Sequence, residues 1–273
     1  MYLKYLIFLV CLVSSNAASF QNSQLDANNR VVGGSVAAEG SIPYMVALRT
    51  GIFIRFLICG GSVITTRHVL TAAHCIDSVY RRGSLSIFLR VAVGTNRWNI
   101  GGRSFSVARN ITHENWNSFT VKNDIGILVT GDIMPLTDRI QPVSLNFDYI
   151  IGDIASRVAG WGRIVVGGPL SNRLLVLFVT TVDGDECSKA LNYNISVAEQ
   201  FAKYDPELEL CAFSTRGKGV CNGDSGSALV RKNNNEQIGI VSWGYACARG
   251  VPDVYVRLSA YKGWIENALS GPS

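Results

Sequence analysis

What most constrains this chain is how short its apolar runs are. β-Branched and aromatic residues gather at Phe56 to Ile58, Leu89 to Val93, Leu174 to Val179, Ile238 to Val241 and Val254 to Leu258, separated by Gly, Asn, Asp and Pro. Runs of that length suit strands and are too brief for helices of several turns, so the rhythm is all-β. The exception is the C-terminal end. There Ser259 stands where a helix cap belongs, and Tyr261, Trp264, Ile265 and Ala268 recur at i, i+3, i+4 and i+7, which predicts an amphipathic helix at about 260–269. Apolar residues make up 48% of the 273 and charged residues 16%, enough core material to exclude a disordered polyelectrolyte. The formal net charge of +5 reads as spread along the chain, without a Lys/Arg run or zinc-finger spacing, so no nucleic-acid partner is expected.

Nine apolar residues, Tyr5 to Val13, follow Lys4 and precede the small polar run Ser14 to Ala18. Such a run is too short to span a bilayer, so no membrane association is expected, but it matches a secretory signal peptide at 1–17 with Ser15 and Ala17 at the cleavage positions. Secretion accounts for the cysteines. Of seven, Cys11 lies in the segment to be removed, leaving Cys59, Cys75, Cys187, Cys211, Cys221 and Cys247 for disulfides in any of fifteen pairings. The sequons Asn110-Ile111-Thr112 and Asn194-Ile195-Ser196 make Asn110 and Asn194 candidate glycosylation sites. Residues 18–30 are polar and end in Arg30, which reads as an exposed peptide open to proteolysis.

Six short motifs carry a resemblance. Arg30-Val31-Val32-Gly33-Gly34, Thr71-Ala72-Ala73-His74-Cys75, Asn123-Asp124-Ile125, Gly160-Trp161-Gly162, Gly223-Asp224-Ser225-Gly226 and Ser242-Trp243-Gly244 occur in this order. Together they resemble the trypsin/chymotrypsin family from about Arg30 to Ile265. The resemblance implies two packed six-stranded antiparallel β-barrels, at about 31–140 and 141–258, with the active site in the cleft between them. It also implies the disulfides Cys59–Cys75, Cys187–Cys211 and Cys221–Cys247. The expected organisation is a signal peptide at 1–17, an activation propeptide at 18–30 and a protease domain at 31–273.

The chemistry of these motifs can be argued from the residue types. A serine hydroxyl is a weak nucleophile at neutral pH and needs a base, for which His is suited; His74 is the candidate among three histidines. His68 reads as a strand-edge residue and His113 as a loop residue. A carboxylate must fix the imidazole tautomer and balance its charge, and Asp124, at the mouth of the apolar run Ile125 to Val129, supplies one. Ser225 lies between Gly223 and Gly226, which permit a tight turn that bares its hydroxyl. By resemblance, the amides of Gly223 and Ser225 form the oxyanion hole. By the same resemblance, cleavage after Arg30 frees the Val31 amine to pair with Asp224, so the precursor is a zymogen. The order Asp-Ser-Gly-Ser-Ala departs from the family's usual Asp-Ser-Gly-Gly-Pro at Ser227 and Ala228.

Specificity is individual. Trypsins carry an Asp six residues before the nucleophile, where this chain has Gly219 followed by Val220, while Asp253 falls where trypsins have a glycine of the pocket wall. This arrangement is similar to the brachyurins, arthropod serine collagenases that accept apolar and basic residues. Ser242, Trp243 and Gly244 complete the expected pocket, with Gly244 leaving its mouth open. The segment Thr95-Asn96-Arg97 lacks the acidic ligands of a trypsin-like calcium site, so neither metal nor cofactor is expected. Expected partners are peptide and protein substrates, an activating trypsin-like protease and protein protease inhibitors. The alternatives are a strict chymotrypsin-like or elastase-like protease, and a catalytically silent homologue that binds protein partners; the latter would lack a triad residue, and none is lacking.

Overall fold

The computed structural model describes residues 32–81, 83–193, 202–245 and 247–271. The expected signal peptide and propeptide, with Arg30, Val31 and Asn194, lie outside the described residues. Twelve strands build two barrels. The first contains β1 (Met45–Thr50), β2 (Phe56–Val63), β3 (His68–Thr71), β4 (Arg90–Val93), β5 (Arg103–Thr112) and β6 (Gly126–Thr130), closed in the order β1-β2-β3-β6-β5-β4. The second contains β7 (Ala155–Gly160), β8 (Leu175–Val182), β9 (Glu209–Phe213), β10 (Ala228–Arg231), β11 (Glu236–Trp243) and β12 (Asp253–Arg257). Its order is β8-β7-β10-β11-β12-β9, and pairing of β8 with β9 closes it. All of these pairings are antiparallel, as expected from the resemblance.

Strand alternation explains why several runs are apolar throughout. On β1, Val46 and Leu48 point into the first barrel with Val91 and Val93, whereas Met45 and Ala47 face Trp161, Leu174 and Val230 of the second. A strand buried on both faces has no side left for polar residues. The resulting seam between the barrels is itself an apolar cluster, and the functional groups gather at its edge.

Among the described residues, three α-helices accompany the barrels: α1 (Ala73–Asp77), α2 (Gly184–Tyr193) and α3 (Lys262–Ser270). The C-terminal helix starts later than expected. Leu258–Tyr261 is a 3-10 turn, the cap position of α3 is Tyr261, and the buried Ser259 hydroxyl has no hydrogen-bond partner among the described residues. The reason is packing: Leu258, Tyr261 and Ile265 insert into the first-barrel core, so the chain turns tightly off β12 to deliver them before the helix can open. Disulfides join Cys59 to Cys75, Cys187 to Cys211 and Cys221 to Cys247. They tie β2 to α1, α2 to β9, and the Ser225 loop to the segment before β12. Spans of 16, 24 and 26 residues correspond to about 3 kcal/mol each if the unfolded chain is what they constrain. Among the described residues, no helix is long and apolar enough to cross a membrane.

Candidate active site

His74 sits on α1, a single turn clamped by the Cys59–Cys75 disulfide. Asp124 stands two residues before the buried β6, at the end of a loop whose Asn123 takes φ 57°, a left-handed conformation Asn tolerates. The two meet twice: the His74 amide donates to Asp124 Oδ1 at 2.9 Å, and ring Nδ1–H donates to Oδ2 at 2.8 Å. Ser242 Oγ–H donates to the same Oδ2 at 2.6 Å. This third bond comes from β11 of the other barrel, so Asp124 is a point where the barrels meet. Its carboxylate is 1% exposed. Burial of the His74 ring works against its charged form, but the charge and hydrogen bond of Asp124 outweigh it and raise the imidazole pKa above its ordinary value. Nε2, the other ring nitrogen, lies 3.6 Å from the Cys75 sulfur.

Ser225 stands on the turn expected from its glycines. Gly223 has φ 103° and Gly226 φ 80°. A side chain on Gly226 would put Cβ 2.3 Å from Thr71 Oγ1 and 2.6 Å from the Gly60 carbonyl oxygen, so the turn packs directly on the first barrel. The Gly60 amide in turn donates to the Ser225 carbonyl at 2.7 Å. Around the turn, the amides of Asp224, Gly226 and Ser227 donate to the carbonyls of Cys221, Val241 and Asp224. Those of Gly223 and Ser225 donate to no group among the described residues. Two unengaged N–H groups therefore flank the serine. Its hydroxyl makes no hydrogen bond to the His74 ring among the described residues, a looseness common in this kind of pair before substrate closes the geometry. Ser227 and Ala228 fit the turn: Ser227 is fully buried against Gly60, and Ala228 opens β10 opposite Ile240.

Asp224 points away from the serine into the second barrel. Its oxygens accept from the amides of Gly162 (2.7 Å) and Cys221 (3.0 Å). A Cβ on Gly160 or Gly162 would fall 2.0 or 2.3 Å from that carboxylate, which explains both glycines of the Gly160-Trp161-Gly162 motif. With no cation beside it among the described residues, burial raises its pKa to about 6 against the pull of the two amides. Nearby, Val32 forms a bridge with Gly219, whose amide donates to the Val32 carbonyl at 3.2 Å.

A cavity of about 140 Å³ opens beside Ser225, lined by Val220, Val241, Ser242, Trp243, Gly244 and Asp253 among others. That is close to the volume that holds a benzene ring, roughly 150 Å³ in an apolar protein cavity. Asp253 therefore faces the cavity rather than solvent. It is 6% exposed, accepts from the Val220 amide at 3.0 Å, and burial raises its pKa to about 7. Gly219 lies behind it, where a Cβ would be 3.0 Å from Oδ2, and its missing side chain makes room for the carboxylate. A larger cavity of about 460 Å³ shares Trp243 but contains none of His74, Asp124 and Ser225.

Motif reading missed the support of Trp243. Its indole N–H donates to Glu209 Oε1 at 2.8 Å, and Lys122, two residues before Asp124, reaches the same oxygen at 2.7 Å. Only a buried Glu209 at 3% exposure, the first residue of β9, could have hinted at this, and burial is not written in the sequence. The other histidines are structural. His68 starts β3 with Nδ1 2.7 Å from Thr65 Oγ1, its pKa lowered by burial and then by Arg109 and Arg67. His113 packs on Tyr261 and Trp264. Asn96, in the segment considered for calcium, donates its side-chain amide to the carbonyls of Ala37 and Ala38.

Two barrels that meet at a carboxylate-held histidine, beside a serine on a glycine turn, define the architecture of a serine hydrolase. Comparison with known proteins agrees. The Trypsin family profile matches residues 31–265. Trypsin alpha-4 of Lucilia cuprina is 32% identical over 98% of this chain and 99% of its own length. Chymotrypsin-2 of Vespa crabro is 35% identical over 86% and 98%, and serine protease SP24D of Anopheles gambiae 34% over 88% and 81%. The chain belongs to the trypsin family and is a serine-type endopeptidase, acting on peptide bonds.

Proposed function

We infer that His74, Asp124 and Ser225 form the catalytic triad of a secreted endopeptidase, made as a zymogen and activated by cleavage after Arg30. His74 Nε2 takes the Ser225 proton as Oγ attacks the scissile carbonyl carbon. The resulting oxyanion receives the amides of Gly223 and Ser225. Protonated His74, its charge balanced by Asp124, then gives the proton to the leaving amine, and water repeats the sequence to release the acid product. The observation that carries this reading is the pair of undonated amides flanking Ser225, beside a cavity and across from a histidine already held by Asp124 and Ser242.

Activation follows from Asp224. A buried carboxylate with a raised pKa and two amide donors has no cation beside it among the described residues, and an ammonium at Val31, next to the Val32 that bridges Gly219, would supply one. Activation by a trypsin-like protease, secretion through the 1–17 leader, removal of 18–30, a mature chain of 31–273, inhibition by protein inhibitors and glycan at Asn110 and Asn194 belong to the same reading. Asn110 lies on β5 with its side-chain amide donating to Thr112 Oγ1 of its own sequon.

For specificity, the Asp253 cavity favours large apolar side chains together with some Arg and Lys. A strictly apolar preference is the second reading. What favours it is the raised pKa of Asp253, which leaves an uncharged acid in much of the protein near neutral pH. Cleavage of a peptide library by the Arg30-cleaved protein, varied at the residue supplying the scissile carbonyl, decides between them. Hydrolysis surviving in Ser225→Ala removes the triad.

A further inference from the structure

The positive charge is not spread through the fold. Residues 40–113 carry nine arginines and a single acidic residue, Asp77, whereas 114–273 carry 14 basic and 17 acidic residues. Part of this charge surrounds one exposed apolar feature, the tip of the β1–β2 hairpin. Gly51, at φ 97°, shapes that tip; any Cβ there would lie 1.9 Å from the Ile54 carbonyl oxygen. The turn leaves Ile52, Phe53 and Ile54 outside, with Phe53 97% exposed. Arg49 and Arg55 donate to the carbonyls of Trp98 and Asn99, which draws the loop bearing the exposed Arg97 against the hairpin. Arg90 pairs across the strands from Arg49. None of these four arginines forms an ion pair among the described residues.

The hairpin runs directly into the cleft. Leu57 borders Gly223, with Cδ2 3.7 Å from where that glycine's Cβ would be, and the Gly60 amide holds the Ser225 carbonyl. No residue lining the Asp253 cavity comes from β2. That cavity suits the side chain preceding the scissile bond, so β2 and its tip border the stretch that follows it.

We propose that the β1–β2 hairpin tip with Arg55 and Arg97 is an exosite for an acidic, apolar stretch of protein substrate downstream of the scissile bond. The inference rests on the triad reading above. Phe53 and its neighbours supply contact area, and the guanidiniums of Arg55 and Arg97, which form no ion pair among the described residues, select Asp and Glu. An anionic membrane would suit the same chemistry, but continuity through β2 to Ser225 favours a peptide.

The test uses the activated protein and three substrates: a short peptidyl anilide with nothing but a reporter after the bond, and two quenched peptides continuing with Leu-Asp-Leu-Glu-Asp or Leu-Asn-Leu-Gln-Asn. The acidic peptide is expected to show about fivefold higher kcat/KM than the amide peptide at low salt, the gap closing at high salt. Arg55→Glu with Arg97→Glu removes the preference and leaves anilide hydrolysis unchanged, while Phe53→Ser weakens both long peptides alike. Equal cleavage of the two peptides by the parent, or equal loss on anilide and peptides in the charge-reversed variant, overturns the proposal. So does binding to phosphatidylserine vesicles that needs Phe53 while the two peptides are cleaved equally. Anisotropy of the labelled peptides is read alongside: preferential binding of the acidic one without anilide hydrolysis leaves the exosite standing and removes the hydrolytic reading.

Discussion

At the seam between the barrels, Asp124 answers three donors, two from His74 and one from Ser242, and so shares an imidazole that can carry charge. In the second barrel, Asp224 and Asp253 are about as deeply buried, at 1% and 6% exposure, yet among the described residues their carboxylates accept only from neutral amides. The consequence differs accordingly. Burial raises Asp224 to about 6 and Asp253 to about 7, because amide dipoles only partly replace the water these carboxylates have lost. One region is already assembled; the carboxylates of the other have no cation beside them among the described residues. In the proposed reading cations complete them: the Val31 ammonium for Asp224 and a basic substrate side chain for Asp253.

Replacing the three aspartates separately tests this contrast. Asp124→Asn is expected to have the largest effect, a fall in kcat of about 10⁴ with KM little changed, because an amide can hold the wrong imidazole tautomer and leaves the developing charge unbalanced. The pH profile of kcat/KM should shift in parallel, its acid limb moving to lower pH as His74 loses the carboxylate that raises its pKa. Steady-state kinetics that fall by less than tenfold would place the carboxylate outside the chemistry.

Asp224→Asn comes next. The variant should be cut after Arg30 like the parent but lose about 10² to 10³ in kcat, the scale associated with an oxyanion donor, since nothing then fixes the turn bearing the Gly223 and Ser225 amides. Arg30→Gln reaches the same low activity by the opposite route, keeping Asp224 but withholding the amine. If uncleaved Arg30→Gln is fully active, the missing cation is not what Asp224 awaits.

The two regions were unequally legible in the sequence. Short β-branched runs separated by turn residues gave away the strands, and His74, Asp124 and Ser225 stood in motifs because their backbone settings need particular neighbours: a glycine on each side of the serine's turn, an apolar strand after the aspartate. The Ser242–Asp124 bond and the Lys122–Glu209–Trp243 chain were not legible, since each joins residues 34 to 118 positions apart that only barrel closure brings together. Ser259 misled for a similar reason: local capping chemistry yielded to the burial of Leu258 and Tyr261. Charge was misread too, because a net +5 conceals how unevenly the arginines fall between the two halves.

Asp253→Gly should produce a smaller and selective change. Cleavage after Arg and Lys is expected to drop by at least about tenfold in kcat/KM, while cleavage after Phe and Leu is spared or improved by the added room. Matched Arg and Phe substrates read the difference directly. Equal losses on both would mean that the carboxylate shapes the cavity without acting as its charge.

The smallest effect is a pH dependence of preference in the unmutated protein. Asp253 is a carboxyl whose folded pKa is raised, to about 7, so it is mostly neutral at pH 6 and mostly ionised at pH 8. A neutral carboxyl tolerates Phe or Leu; an ionised one pairs with Arg or Lys and is poorly solvated beside an apolar side chain. The ratio of kcat/KM for Arg over Phe substrates should therefore rise with pH across this window, by roughly severalfold as the ionised fraction grows. Taking the ratio cancels the titration of His74, which both substrates share. An arginine side chain in the cavity also favours the ionised form, so its binding should release a proton near neutral pH, measurable as a buffer-dependent binding enthalpy in Ser225→Ala. A ratio that stays flat from pH 6 to 8, with no proton released, would mean that Asp253 does not titrate in this window; joined to negligible cleavage after Arg, it would make Asp253 a permanently neutral wall and leave the apolar preference as the only one.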